Sequence, residues 1–111
     1  MPAKFEIKHG GGGEYMFNLK APNGEVILTS QMYKEKQDVF EGIAAVMANA
    51  HQDVRFERKT AKNGQPFFLL KAANGETIGK SETYSSLAAM ENGIQSVQKN
   101  AAAAEVHELA A

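Results

Sequence analysis

The chain has 111 residues, 43% hydrophobic and 23% charged, which suits one globular domain and argues against intrinsic disorder. A formal net charge of −1 supplies no overall attraction to nucleic acid or anionic lipid, and the lack of cysteine excludes disulfides, thiolate metal sites and thiol nucleophiles. No apolar run approaches the roughly eighteen residues of a membrane span, and residues 1–8 lack the apolar core of a signal peptide, so a cytoplasmic protein is expected.

From the N-terminus, Phe5 and Ile7 alternate with Lys4, Glu6 and Lys8, the two-residue period of a half-buried strand. Glycines 10–13 make a turn. A second strand follows with Tyr15, Phe17 and Leu19 on one face. Asn23-Gly24 sits between β-prone runs and tolerates the positive φ of a tight hairpin turn, and residues 25–30 form the third strand. The period then becomes helical: Val39, Ile43, Val46 and Ala50 form an apolar stripe, with Asn49 placed to close the helix as a left-handed cap.

The same order then recurs. Shifted by 51 residues, the chain matches itself without a gap, and 19 of 49 positions are identical between residues 3–51 and 54–102. Matches include Phe5/Phe56, Phe17/Phe68, Lys20/Lys71, Asn23/Asn74, Gly24/Gly75, Ser30/Ser81, Tyr33/Tyr84, Gly42/Gly93 and Asn49/Asn100. Comparison of the copies also addresses strand parity. Val26/Thr77 and Leu28/Gly79 lose apolar character whereas Ile27/Ile78 keep it, which selects Ile27 and Ile78 as core positions. Gly42 and Gly93 lie in helix interiors, where glycine costs roughly 1 kcal/mol against alanine, and close approach of the helix backbone to the sheet is the expected reason. The tail, residues 103–111, is rich in helix formers and is expected to extend the last helix and fray.

A fifty-residue βββα unit buries too little surface to stand alone and leaves a strand edge unpaired. The expected fold is therefore α+β: one domain over residues 1–111, made of two intertwined repeats. Six antiparallel strands would form one pseudo-twofold sheet with both helices on one face.

The segments FNLKAPNGEVILTSQMY and FFLLKAANGETIGKSETY, each followed by a helix with GIAAVMANA or GIQSVQKNA, resemble the YegP-like family of small bacterial proteins. The similarity spans residues 3–103. It implies a duplicated βββα domain with its helices exchanged between copies, and it brings no catalytic residue, cofactor or metal. The four-glycine turn and Phe40, opposite Glu91 in the second copy, depart from the family pattern without threatening the fold.

Chemical candidates are few. His9, His51 and His107 have no partner at metal-ligand spacing. Glycines 10–13 lack the following lysine and hydroxyl of a phosphate loop. Arg55, Arg58, Lys59 and Lys62 are interleaved with acids and lack stacking aromatics, so nucleic acid is not the expected partner. Lys20, Lys71, Tyr33 and Tyr84 match across copies and are candidate ligand positions, although folding alone accounts for such matches too. If Phe17, Leu19, Phe68 and Leu70 face the helices, Met16, Phe67 and Leu69 face away and form a candidate partner surface. The expected activity is that of a non-catalytic binding or interaction module, monomeric or weakly dimeric. A small-molecule binder or enzyme built on the Lys/Tyr pairs is the alternative, and nucleic-acid binding a weaker one.

Overall fold

A computed structural model describes residues 2–109; Ala110 and Ala111, the end of the expected tail, lie outside the described residues. The elements are β1 (Lys4–His9), β2 (Tyr15–Lys20), β3 (Val26–Ser30), α1 (Lys36–Asn49), β4 (Phe56–Thr60), β5 (Pro66–Lys71), β6 (Thr77–Lys80), α2 (Leu87–Asn100) and β7 (Glu105–Glu108). One sheet of order β4-β5-β6-β3-β2-β1-β7 contains all the strands. Every pairing is antiparallel except β1 with β7, which is parallel.

The fold class is α+β with two helices, but the sheet is mixed and seven-stranded, not antiparallel and six-stranded. The tail is responsible. After α2 a single 3-10 turn, Ala101–Ala103, redirects the chain along the outer edge of β1. There the Glu105 N–H donates to the Ala3 carbonyl at 3.0 Å and the Leu109 N–H to the Ile7 carbonyl at 2.9 Å. Pairing an open strand edge outweighs the modest helix preference of alanine and glutamate.

The helices share one face. Val39, Ile43 and Val46 of α1 and Met90, Ile94 and Val97 of α2 join Phe5, Ile7, Phe17, Leu19, Phe68 and Leu70 in one buried cluster. Each helix straddles the repeats: α1 rests on β2 of its own copy and on β5 and β6 of the other, and α2 on β5 of its own and β3 of the other. Neither half closes its core without the other.

The Asn-Gly hairpin turns form as expected, and the left-handed helix caps do not. In the hairpin turns only the glycines take positive φ, 90° at Gly24 and 89° at Gly75, and Asn23 and Asn74 do not. The Gly24 N–H closes a four-residue turn on the Ala21 carbonyl, while Asn23 Oδ1 accepts the Glu25 N–H, an arrangement repeated at Gly75, Asn74 and Glu76. Asn49 and Asn100 are not left-handed caps. Each donates its side-chain amide to a carbonyl one turn back, Ala45 and Ser96, both at 2.8 Å.

The parity reading is half right. Ile27 and Ile78 are buried at 5% exposure, but Leu28 is buried completely. Leu19 pairs with Leu28 and Lys20 with Val26, so Ile27 is an extra residue in a bulge, and Ile78 is its counterpart between Thr77 and Gly79. The bulge breaks the alternation and turns two consecutive side chains inward. At the junction of the repeats only Thr29–Lys80 and Ser30–Gly79 pair. A Cβ on Gly79 would lie 2.7 Å from Leu28 Cγ, so the second copy loses its side chain where the first copy's leucine fills the space of both.

Gly79→Ala is therefore expected to destabilise the fold by about 1–3 kcal/mol through overpacking. Leu28→Ala should cost about 2–5 kcal/mol. Urea unfolding of both single variants and the double variant checks the pairing: the double should cost clearly less than the sum.

Candidate functional site

The strand register defines a sheet face that no helix covers. Across it runs one row of paired residues: Glu57, Leu69, Lys80, Thr29, Asn18, Glu6 and His107. Phe67, opposite Lys59, and Met16, opposite Lys8, stand beside this row at equivalent positions of the two copies. The three candidate apolar residues, Met16, Phe67 and Leu69, are thus on the helix-free side. All three are half-buried, and over Phe67 Lys80 Nζ sits 5.1 Å from the ring centre. A depression of about 410 Å³ near the centre of the face is lined by Thr29, Leu69, Thr77 and Lys80.

Lys20 and Lys71 also belong to this face, where they are held in ion pairs. Lys20 Nζ lies 2.9 Å from Glu6 Oε1, and Lys71 Nζ lies 3.1 Å from Glu57 Oε1. Glu6 additionally meets Lys4 at 3.3 Å. The Glu6 side chain is only 8% exposed, against 44% for Glu57. The hydrogen bond from Lys20, reinforced by Lys4, holds the Glu6 carboxyl below the usual carboxylate range against the opposing effect of burial. Glu6/Glu57 and Lys8/Lys59 are identical between copies and belong to the same face. The repeat contained that signal, since a matched acid two strand positions from a matched lysine marks a shared polar face.

Tyr33 and Tyr84 are on the opposite, helix-bearing side. Tyr33 stacks on Phe17 with ring centres 6.5 Å apart, and Tyr84 stacks on Phe68 at 6.2 Å. Each hydroxyl reaches over a helix glycine: a Cβ on Gly42 would meet the Tyr33 oxygen at 2.6 Å, and one on Gly93 would collide with Tyr84. The mid-helix glycines therefore make room for tyrosine rings rather than for the sheet backbone. Burial pushes both hydroxyls up from their ordinary pKa. The lysine and tyrosine candidates are not brought together.

Each tyrosine does border a cleft between repeats. Tyr33 faces the Ala72, Asn74 and Glu76 turn across about 430 Å³, and Tyr84 faces the Ala21, Asn23 and Glu25 turn across about 390 Å³. The first cleft carries Asp38 and Glu41 where the second has Ala89 and Asn92. Two-copy identity thus does not extend to the charge of the lining.

Ser30 and Ser81 act structurally. Each hydroxyl accepts the N–H of Phe17 or Phe68 at 2.9 Å and donates to the carbonyl of Gln31 or Glu82 at 2.7 Å. Among the described residues no group of three or more acidic or histidine side chains could hold a metal ion, and glycines 11–13 form a 3-10 turn between strands. Among the described residues no helix is long and apolar enough to cross a membrane.

This duplicated α+β scaffold matches known proteins along nearly its whole length. The family described as a domain of unknown function, DUF1508, matches twice, over residues 12–57 and 61–108. The chain belongs to this family, whose relatives carry the designation UPF0339 and include YegP. It is 47% identical to a UPF0339 protein of Acinetobacter baylyi over 98% of both chains. It is 50% identical to one of Bordetella pertussis over 91% of this chain and 90% of that one. Among solved structures, a UPF0339 protein of Shewanella oneidensis superimposes with a TM-score of 0.92 at 42% identity, covering 98% of this chain and 92% of that one. The Escherichia coli protein of unknown function yegP gives 0.91 at 42% identity, covering 97% and 93%.

Two measurements probe these contacts. Gly42→Ala should lower stability despite better helix propensity, and by less in a Tyr33→Phe background, because the phenyl ring lacks the colliding oxygen; thermal melts of the single and double variants show this coupling. For Glu6 the folded state holds the charged form more tightly than the unfolded chain does. Its contribution is fully present above the ordinary glutamate value of about 4.3 and is lost as pH falls through the lower folded value. Urea midpoints measured from neutral pH to about pH 2.5 should fall less steeply for Glu6→Gln than for the unsubstituted protein.

Proposed function

We propose that this protein is a non-catalytic binding or interaction module that engages its partner through the helix-free sheet face. The observation that supports this reading is the composition of that face. Leu69 and Lys80 line a central depression, and Phe67 stands on the same face between Lys59 and Lys80 with no helix packed over it. A surface that mixes an aromatic anchor with long cationic side chains suits recognition better than turnover. The matched pairs Lys20/Lys71 and Ser30/Ser81 are engaged in ion pairs and strand-end hydrogen bonds, and among the described residues they do not meet the matched tyrosines. The small-molecule alternative retains the two tyrosine clefts but loses its lysines, which are on the other side of the sheet.

One observation favours a second reading, an anionic polymer such as single-stranded nucleic acid. Lys8, Lys59 and Lys80 are all on the helix-free face and have no ion-pair partner among the described residues. Phe67 lies beside two of them. Local charge therefore opposes the sign of the whole chain, and only local charge acts within a Debye length of about 8–10 Å.

The experiment is a comparison of the unsubstituted protein with Phe67→Ser and Lys80→Glu. Affinity capture should recover a partner that both variants lose while their melting temperatures stay within a few degrees. Capture unaffected by either variant would sink the open-face reading. Gel retardation of single-stranded DNA and RNA at low salt, weakening as salt rises, would select the polymer reading.

A further inference from the structure

The pseudo-twofold relation makes the two ends of the sheet equivalent, yet they are finished differently. At one end β1 receives β7 on its outer edge in parallel register, Lys4 with Glu105, Phe5 with Val106, Glu6 with His107 and Ile7 with Glu108. At the other end β4, the counterpart of β1, is the last strand of the sheet. The consequences show residue by residue. Ala3 is 5% exposed under the tail, whereas its counterpart Val54 is 79% exposed. Glu6 is covered and Glu57 is not. The carbonyls of Ala3 and Ile7, which accept from the tail, correspond by the 51-residue shift to those of Val54 and Arg58.

We propose that the outer edge of β4 is a strand-acceptor site for an extended acidic peptide segment of a partner protein, laid parallel to β4 as β7 is laid along β1. The chain's own tail is the pattern for the occupant. A segment of the form Glu-Val-His-Glu in the transferred register would set its first glutamate against Arg55, its valine against Phe56, its histidine against Glu57 and its last glutamate against Arg58. On β1 the last glutamate, Glu108, lies opposite Ile7 and is met by Lys36 and His9, whereas on β4 the equivalent position is Arg58.

A second observation points the same way. Arg55 has a buried Nε without a hydrogen-bond partner, and its guanidinium takes part in no ion pair among the described residues. Arg58 is already engaged by Glu91 and Asp53, so the cation that awaits a carboxylate is Arg55. The Phe56 N–H is already satisfied by the Asp53 carbonyl, so a segment in the transferred register would lose that donor and would bond to the Val54 carbonyl and from Arg58 onward. Backbone pairing along an edge gives affinity and the alternate side chains give selection. This site is an edge rather than a face, so its fate is independent of the open-face reading.

The test uses the isotopically labelled full chain titrated with a peptide of residues 103–109, Ala-Ala-Glu-Val-His-Glu-Leu, followed by backbone amide shifts. Expected are shifts within residues 54–60 that include Arg58, unchanged Phe67 and Leu69 signals, and at least a fivefold weaker response for Arg55→Glu. A peptide with both glutamates replaced by lysine should not bind, which keeps the test decisive if Arg55→Glu folds poorly. Shifts confined to β1 and β7, showing exchange with the resident tail, overturn the proposal, as does no response at about 1 mM peptide. A concentration-dependent dimer whose β4 amides are already protected would assign the edge to a second copy and overturn the partner reading.

Discussion

The meeting of β3 and β6 at the pseudo-twofold axis is the contact on which the rest of the molecule depends. Only two residue pairs form its strand ladder, yet it turns two three-stranded halves into one sheet. So short a pairing would be weak by itself. It is reinforced by Leu28, which enters the space left by Gly79, and by helices that cross the boundary from both sides. The seam therefore works by unequal filling: one leucine serves two positions. Strict repetition of leucine would have put two branched side chains into a space for one, and strict repetition of glycine would have left a cavity.

Away from the axis each half holds itself by a second device that is repeated faithfully. A phenylalanine of the middle strand, a tyrosine following the third strand and a helix glycine stack in that order. The tyrosine is tied to the sheet by its backbone, Tyr33 exchanging hydrogen bonds with Tyr15 and Tyr84 donating to the Pro66 carbonyl. The buried serine three residues earlier satisfies the strand amide where the chain departs. Matched polar residues here are the fittings of a strand-to-helix crossover. Their identity in both copies reflects a geometry that has to be made twice.

Much of this was legible in the sequence because two copies sample one constraint twice. The strand periods, the turns, the helical stripes and the inward Ile27 and Ile78 all follow from positions that keep their character under the 51-residue shift. Leu28 was misplaced because a bulge is invisible to a two-residue period, and because the loss of a side chain at Gly79 reads as lost burial when it is complementary burial. The roles of Gly42 and Gly93 were hidden for a related reason: the ring that needs the space is nine residues away, across a change of secondary structure. The tail failed on another ground. Ala, Glu and Leu favour a helix locally, and nothing within the tail shows that a strand edge is waiting. On the candidate site, parity placed Met16, Phe67 and Leu69 correctly on the helix-free side, but it could not show that Lys20 and Lys71 would be occupied by Glu6 and Glu57.

The duplication then has a consequence that an equivalent homodimer would not share. In a symmetric pair of single units both ends of the sheet, both clefts and both acid–lysine pairs would be alike. A covalently joined pair is free to diverge, and here it has. One tail covers one end and leaves β4 as an edge; one cleft carries Asp38, Glu41 and Glu76 where the other carries only Glu25; one glutamate is buried among lysines and its counterpart is open. The helical stripes, the tyrosine stacks and the β3–β6 axis do not include these positions. They are therefore the part of the molecule free to be shaped by something other than folding, and recognition is better sought where the repeats disagree on a common frame than where they agree.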